Sequence, residues 1–198
     1  MSKREDILDV TEAMIRQKGY NAVSARAVAI ATDIKSSSVH YYFPTKSDMV
    51  SAVVLRYTDT FMTALGNPNE LINGHGDKMS MTEVKAHYIS AFRNALIRDK
   101  ALCLCAVLGA ESGGLPEEVS NNTKAFFERN IKWLVDALES SSDQGESTNE
   151  ALDANLKETL TNQAVHILAA LEGAMIISQT TGGIKLFDQV AGQLTSPL

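Results

Sequence analysis

Three consecutive serines, Ser36, Ser37 and Ser38, are followed after a single valine by His40, Tyr41 and Tyr42. Arg26 precedes this run and Lys46 follows it. The segment therefore concentrates hydroxyl, phenol, imidazole, guanidinium and ammonium donors. Such donors suit phosphate oxygens and base edges. The short serine hydroxyls would let a helix lie close to the floor of a groove, whereas three serines are otherwise poor helix material.

The surrounding pattern supplies elements to position them. A first helix is expected from about residue 3 to Lys18, with Ile7, Leu8, Val10, Thr11, Met14 and Ile15 as its apolar stripe and Gly19 as its stop. Ser24 caps a second helix with Val28, Ala29 and Ala31 inward. Thr32-Asp33-Ile34 is the turn, Ser36 caps the third helix, and Pro44 closes it near Phe43. Val39 and Phe43 are four apart and should face the core, leaving Ser37, Ser38, His40, Tyr41 and Tyr42 outward. Thr45-Lys46-Ser47-Asp48 has the form of a capping box and opens a fourth helix. Two short helices joined by a tight turn, the second rich in polar donors, fit a helix-turn-helix. Lys3 and Arg4 are expected to form a flexible basic arm.

The block from Ser24 to Asp48 resembles the DNA-binding segment of the TetR family of bacterial regulators. Arg26 after the capping Ser24, Val28-Ala29, Ile34, the run Ser38-Val39-His40-Tyr41-Tyr42-Phe43, and then Pro44, Lys46 and Asp48 carry the likeness. It is confined to roughly the first 55 residues. Three positions depart from the family pattern: Asp33 replaces a turn glycine, Lys35 a capping serine, and His40 a tyrosine. The resemblance implies an all-α fold, with a three-helix DNA-binding domain over residues 1–47 and a helical effector-binding and dimerisation domain over 48–198. It implies contacts to double-stranded operator DNA from Ser24, Arg26, Ser36, Ser37, Ser38, His40, Tyr41, Tyr42 and Lys46. It also implies a homodimer, most simply a repressor released by a small-molecule effector.

Bulk composition is compatible with this. The chain has 198 residues, 44% hydrophobic and 21% charged, enough for a substantial core. Its formal charge of -6 is unevenly spread. Residues 1–50 hold seven Lys and Arg against six Asp and Glu, a balance of +1, so the rest carries -7. The acidic part stays soluble while the first part can approach phosphate. No run of 18 apolar residues occurs and the start lacks the apolar core of a signal peptide, so a cytoplasmic protein without a membrane span is expected.

Beyond Asp48 the pattern stays helical. The fourth helix carries Met49, Val53, Val54, Tyr57, Phe61 and Leu65. A loop from Gly66 to Asp77, with a short turn of helix inside, leads to a second capping box at Ser80-Met81-Thr82-Glu83. Further helices are expected at about 82–98, 101–111, 116–139, 150–180 and 183–194, with a polar mobile loop over 140–149. The stretch from Ala164 to Ile177 is apolar nearly all round, and its small residues permit close helix approach, so burial on several sides is expected. Both a dimer bundle and a monomer's central helix would bury it. Apolar faces around Tyr88, Phe92, Leu96, Cys103, Phe127, Trp133 and Met175 are candidate walls of a ligand pocket.

Catalytic and metal signals are absent. Cys103 and Cys105 point apart on a helix and are best read as small buried hydrophobes. His75, His87 and His166 have no metal-ligand spacing, so neither a metal nor a cofactor is expected. No G-x-S-x-G, H-E-x-x-H or phosphate-binding glycine loop occurs. Three other readings remain at this point. The chain could be a regulator sensing electrophiles or oxidants through Cys103 or Cys105, a helical interaction module, or an all-α enzyme without a short motif.

Overall fold

The computed structural model describes residues 2–142 and 150–195. Its elements are helical: α1 (Lys3–Lys18), α2 (Ala25–Ala31), α3 (Ser36–Tyr42), α4 (Lys46–Leu65), α5 (Met81–Asp99), α6 (Leu104–Ala110), α7 (Glu117–Ser140), α8 (Glu150–Thr181) and α9 (Ile184–Thr195), with 3-10 turns at Tyr20–Ala22 and Ser112–Gly114. Among the described residues the β component is one isolated bridge, Ile72 to Lys78. The all-α expectation is met. The chain divides into two compact units, Met1–Thr60 with Ala101–Phe127, and Phe61–Lys100 with Glu128–Leu198. Residues 1–47 lie wholly in the first unit, which also takes in the start of α4, all of α6 and the start of α7.

In the first unit α1 begins where the Ser2 hydroxyl accepts the Glu5 N–H, and buries Ile7, Leu8, Thr11 and Ile15. Full burial of such aliphatic side chains contributes about 1.5–3 kcal/mol each. Lys3 and Arg4 belong to this helix rather than to a flexible arm, because Ser2 caps it and Arg4 lies 5.3 Å over the Phe43 ring. Gly19, at φ 79, ends α1 with its N–H on the Ile15 carbonyl. Arg56 of α4 meets Glu5, Asp9 and Glu12 of α1 at 3.0, 2.7 and 3.1 Å. Arg16 donates to the Leu102 and Ala101 carbonyls at 2.7 and 3.3 Å. Both carbonyls precede α6, which starts at Leu104 with Cys103 at its N-cap rather than inside a helix.

In the second unit Ser80 and Glu83 form the expected capping box of α5. Val84, Tyr88, Ile89, Phe92 and Leu96 are all buried, as their spacing predicts. Tyr88 donates to Asn130 at 2.8 Å, and the Trp133 indole N–H donates to the Gly66 carbonyl at 2.8 Å. The expected helical turn within 66–77 is replaced by turns around Asn73, whose side chain accepts the His75 and Asp77 N–H groups. Arg93 of α5 grips Asp188 of α9 through two bonds, 2.7 and 3.1 Å. At the end of α8 the Gly182 and Gly183 N–H groups both bond the Ser178 carbonyl, and Gly182 takes φ 77. Of the polar loop expected over 140–149, Ser140 ends α7 and residues 143–149 lie outside the described residues.

α8 holds the apolar stretch from Ala164 to Ile177. Ala154–Thr181, with a mean hydropathy of 1.3, is long and apolar enough by composition to cross a membrane. It instead packs along α9 and touches α5, which is how the core helix of a folded domain meets the same criterion. Its burial is also one-sided: Leu160, Ala164, Ile167, Leu168, Leu171, Ala174 and Met175 are buried, whereas Val165, Ile176 and Ile177 stay 45–48% exposed.

Candidate nucleic-acid interface

Local signals build the helix-turn-helix. The Ser24 hydroxyl accepts the Ala27 N–H at 3.1 Å and starts α2. Val28 and Ala29 are buried, but Ala31 is exposed. The helix is only seven residues long, and its last turn rotates Ala31 outward. Thr32 bonds back to the Val28 carbonyl at 2.7 Å. Asp33 then takes φ 52, the left-handed region that the missing glycine would have entered freely. This reversal brings the Ile34 N–H to the Ala29 carbonyl at 3.0 Å. Lys35, not Ser36, is the N-cap of α3, with extended backbone and no side-chain cap. Ser36 is the first helical residue.

Val39 and Phe43 are buried and set the rotation of α3. The Ser36, Ser37 and Ser38 hydroxyls form no hydrogen bond among the described residues. Mid-helix Thr11, Thr58 and Thr123 bond instead to carbonyls four residues back. For residues in the first turn of a helix those carbonyls lie in the preceding turn, outside the helix, so the three hydroxyls keep their capacity for an outside partner. Tyr41 is 83% exposed, with its ring edge-on to Tyr42 at 5.2 Å. The His40 ring is held by its Nδ1 at 3.2 Å from the Pro44 carbonyl, which directs Nε2 away from that contact. Arg26 is exposed and has no ion pair among the described residues.

Ile30 was not anticipated. It is 73% exposed and lies one turn beyond Arg26, on the same strip of α2. An isoleucine four residues from an exposed arginine was the available signal. Water disfavours so open an isoleucine, while a thymine methyl would accept it.

At the start of α4 the Thr45 N–H bonds the Asp48 carboxylate at 2.9 Å, and the Asp48 N–H bonds the Thr45 hydroxyl at 3.1 Å. This reciprocal pair is the capping box expected from the sequence. Lys46 does not extend freely: its ammonium sits 3.7 Å over the Tyr20 ring. Burial lowers the Lys46 pKa below the usual lysine range, while the Glu111 charge raises it. Glu111 accepts the Tyr20 N–H at 2.7 Å.

With this geometry in place, likeness to known proteins can be weighed. Residues 7–53 match the model for bacterial regulatory proteins of the tetR family. A TetR transcriptional regulator from Legionella pneumophila superposes with a TM-score of 0.82 at 28% identity, covering 98% of this chain and 96% of that one. A TetR-family transcriptional regulator from Agrobacterium tumefaciens gives 0.81 at 26% identity, covering 98% and 95%. Residues 7–53 therefore match a TetR-type DNA-binding domain, within a fold shared with TetR regulators. The chain is also 36% identical over 78 residues to the HTH-type transcriptional repressor KstR of Mycolicibacterium smegmatis, a match spanning 36% of this chain and 38% of that repressor.

The candidate pocket residues fall in both units. Cys103 and Phe127 belong to the first unit, and the other five to the second. Phe127 packs edge-on to Phe126 at 5.4 Å. In the second unit Tyr88 stacks with Trp133 at 5.7 Å and leans on Phe92 at 5.3 Å. Met175 is buried. Leu96 alone of the five lines an open cleft of about 420 Å³, together with Lys100, Ser178, Gln179 and Ile184.

Cys103 and Cys105 are unbridged and buried. The Tyr57 hydroxyl is hydrogen-bonded to Cys103, and burial foremost pushes the Tyr57 phenol well above its ordinary range. An external oxidant would have to displace this packing to reach either sulfur. Among the described residues no three His, Cys, Asp or Glu side chains gather as a metal site.

Proposed function

We propose that this chain is a DNA-binding transcriptional repressor that acts in the cytoplasm as a homodimer on a palindromic operator. The observation that carries this reading is the outward face of α3: free serine hydroxyls and an open Tyr41 on a helix anchored from behind by Val39 and Phe43. Residues 1–47 form the DNA-binding part. Ser36, Ser37, Ser38, His40, Tyr41 and Tyr42 enter the major groove, while Ser24, Arg26 and Lys46 meet the flanking backbone. Ser24 contributes mainly as the cap that aims α2.

One α3 reads only a few base pairs, so two copies reading half-sites about one helical turn apart are needed for specificity. The exposed Val165, Ile176 and Ile177 on α8 support the second copy: Val165 and Ile176, eleven residues apart, share one side of the helix and Ile177 lies about 100° further round, an apolar surface that favours a matching one. A small molecule bound within residues 48–198 would release the operator by binding more tightly to the DNA-free conformation, since only differential affinity shifts a population. The open cleft beside Leu96, about 420 Å³, offers an accessible volume for such a molecule.

The test is selection of binding sites from random duplex DNA, followed by affinity measurement over a salt series on the enriched sequence and on the promoter beside its own gene. A two-fold symmetric site should emerge, with log affinity falling linearly in log salt by about 0.9 per phosphate contact. Tyr41→Ala should weaken that complex at least tenfold without shifting the unfolding midpoint, because the side chain is open to solvent. Failure to enrich any sequence would overturn the reading and favour a helical interaction module.

A further inference from the structure

The side chain of Glu111, at the C-cap of α6, reaches the turn that follows α1. One carboxylate oxygen accepts the Tyr20 N–H at 2.7 Å, a short bond strengthened by the acceptor's charge. The other oxygen occupies the space beside Gly19, where an added Cβ would overlap it. A side chain at position 19 would therefore expel the carboxylate, besides being strained at φ 79. Tyr20 in turn is buried and presents its ring to the Lys46 ammonium at 3.7 Å, within cation–π range.

Three links thus run from α6 to the first residue of α4: carboxylate to backbone N–H, backbone to ring, ring to ammonium. Arg16 fixes the start of the same segment through the Ala101 and Leu102 carbonyls. Residues 101–111 are thereby tied to α1 at one end and to the turn after it at the other. None of the three links uses a residue of α2 or α3, so they bear on the position of Lys46 without being part of the groove-facing surface.

We propose that Glu111 is a positioning residue for operator binding: by holding Tyr20 in place it orients Lys46 towards a DNA phosphate. The inference rests on the phosphate contact assigned to Lys46 above. It adds a point at which movement of α6 is felt at the DNA, because a displacement of about 1 Å takes a 2.7 Å bond beyond ordinary hydrogen-bond range.

The experiment measures affinity for the selected operator by fluorescence anisotropy over a salt series, with unfolding midpoints recorded in parallel. Glu111→Ala should weaken binding about tenfold and lower the salt slope by about 0.9, the equivalent of one phosphate contact. Glu111→Gln should restore the slope, because its amide oxygen still accepts the Tyr20 N–H. Tyr20→Leu keeps that N–H, removes the ring, and should lower the slope as Glu111→Ala does, which provides a second route if Glu111→Ala does not fold. In a Lys46→Ala background, Glu111→Ala should cost nothing further.

Unchanged slopes in Glu111→Ala and Tyr20→Leu, or a full additional loss in the Lys46→Ala background, would overturn the role of Glu111 while sparing the contact by Lys46. A normal slope in Lys46→Ala itself would remove the phosphate contact, and the proposal for Glu111 would fall with it.

Discussion

Asp33 holds the turn between α2 and α3 at φ 52, and its substitution tests whether this backbone, rather than the carboxylate, sets the turn. A left-handed conformation costs a residue with a side chain about 1–2 kcal/mol, with Asp towards the low end. Glycine removes that cost but gives back about 0.5–1 kcal/mol through the greater freedom of its unfolded chain. Asp33→Gly should thus lie between neutral and about 1 kcal/mol stabilising. Valine, branched at Cβ, should destabilise by about 1–2 kcal/mol. The two variants would differ by about 2 kcal/mol, or about 1 M in urea midpoint at a slope near 2 kcal/mol per M. Ala13, exposed in the regular backbone of α1, is the control, and Ala13→Gly should cost about 1 kcal/mol. Urea unfolding followed by circular dichroism reads all three, and operator affinity should survive in Asp33→Gly. Equal midpoints for the Gly and Val variants, or an Asp33→Gly loss matching that of Ala13→Gly, would refute the reasoning.

Two other outcomes follow from the second unit. Ile177→Glu places a carboxylate in the proposed dimer face of α8, where burial without a partner is strongly unfavourable; sedimentation should show at least a hundredfold weaker self-association, and an unchanged dimer would exclude this face. Glu83 is held below the ordinary glutamate range, first by the Ser80 N–H and next by the Ser80 hydroxyl. Its folded pKa is depressed, so the stabilisation is present above the unfolded pKa and is lost as pH falls through the folded one. Glu83→Gln should flatten the acid limb of a stability–pH profile, and an identical limb in both proteins would remove that assignment.

Features legible in the sequence are those whose partners lie within four residues. The caps at Ser24, Thr45–Asp48 and Ser80–Glu83 are of this kind, as is the stop at Gly19. The pairing of Val39 with Phe43 also follows from helical spacing alone. Alanine and serine carry weaker information. Ala31 read as inward because its small apolar side chain fits either face, and Ser36 read as a cap because nothing local reveals that Lys35 already takes the extended N-cap conformation. Burial of the cysteines was legible from composition. Their helical phase was not, because the segment just before α6 is held from afar, by Arg16 on the Ala101 and Leu102 carbonyls at separations of 85 and 86 residues.

The same division runs through the candidate site. The donor types on α3 are local information, and their outward direction follows from two buried anchors on the same helix. Lys46 also has the residue type expected of a phosphate contact, yet its orientation depends on Tyr20 and, through Tyr20, on Glu111 at a separation of 91 residues. Gly19 looks in sequence like a helix stop and nothing more. In three dimensions its missing Cβ also leaves room for the Glu111 carboxylate. A substitution tolerable as a helix stop, such as Gly19→Asn, would therefore still disturb Lys46. Its operator complex should lose salt dependence in step with Glu111→Ala, even though both positions lie outside the surface that faces DNA.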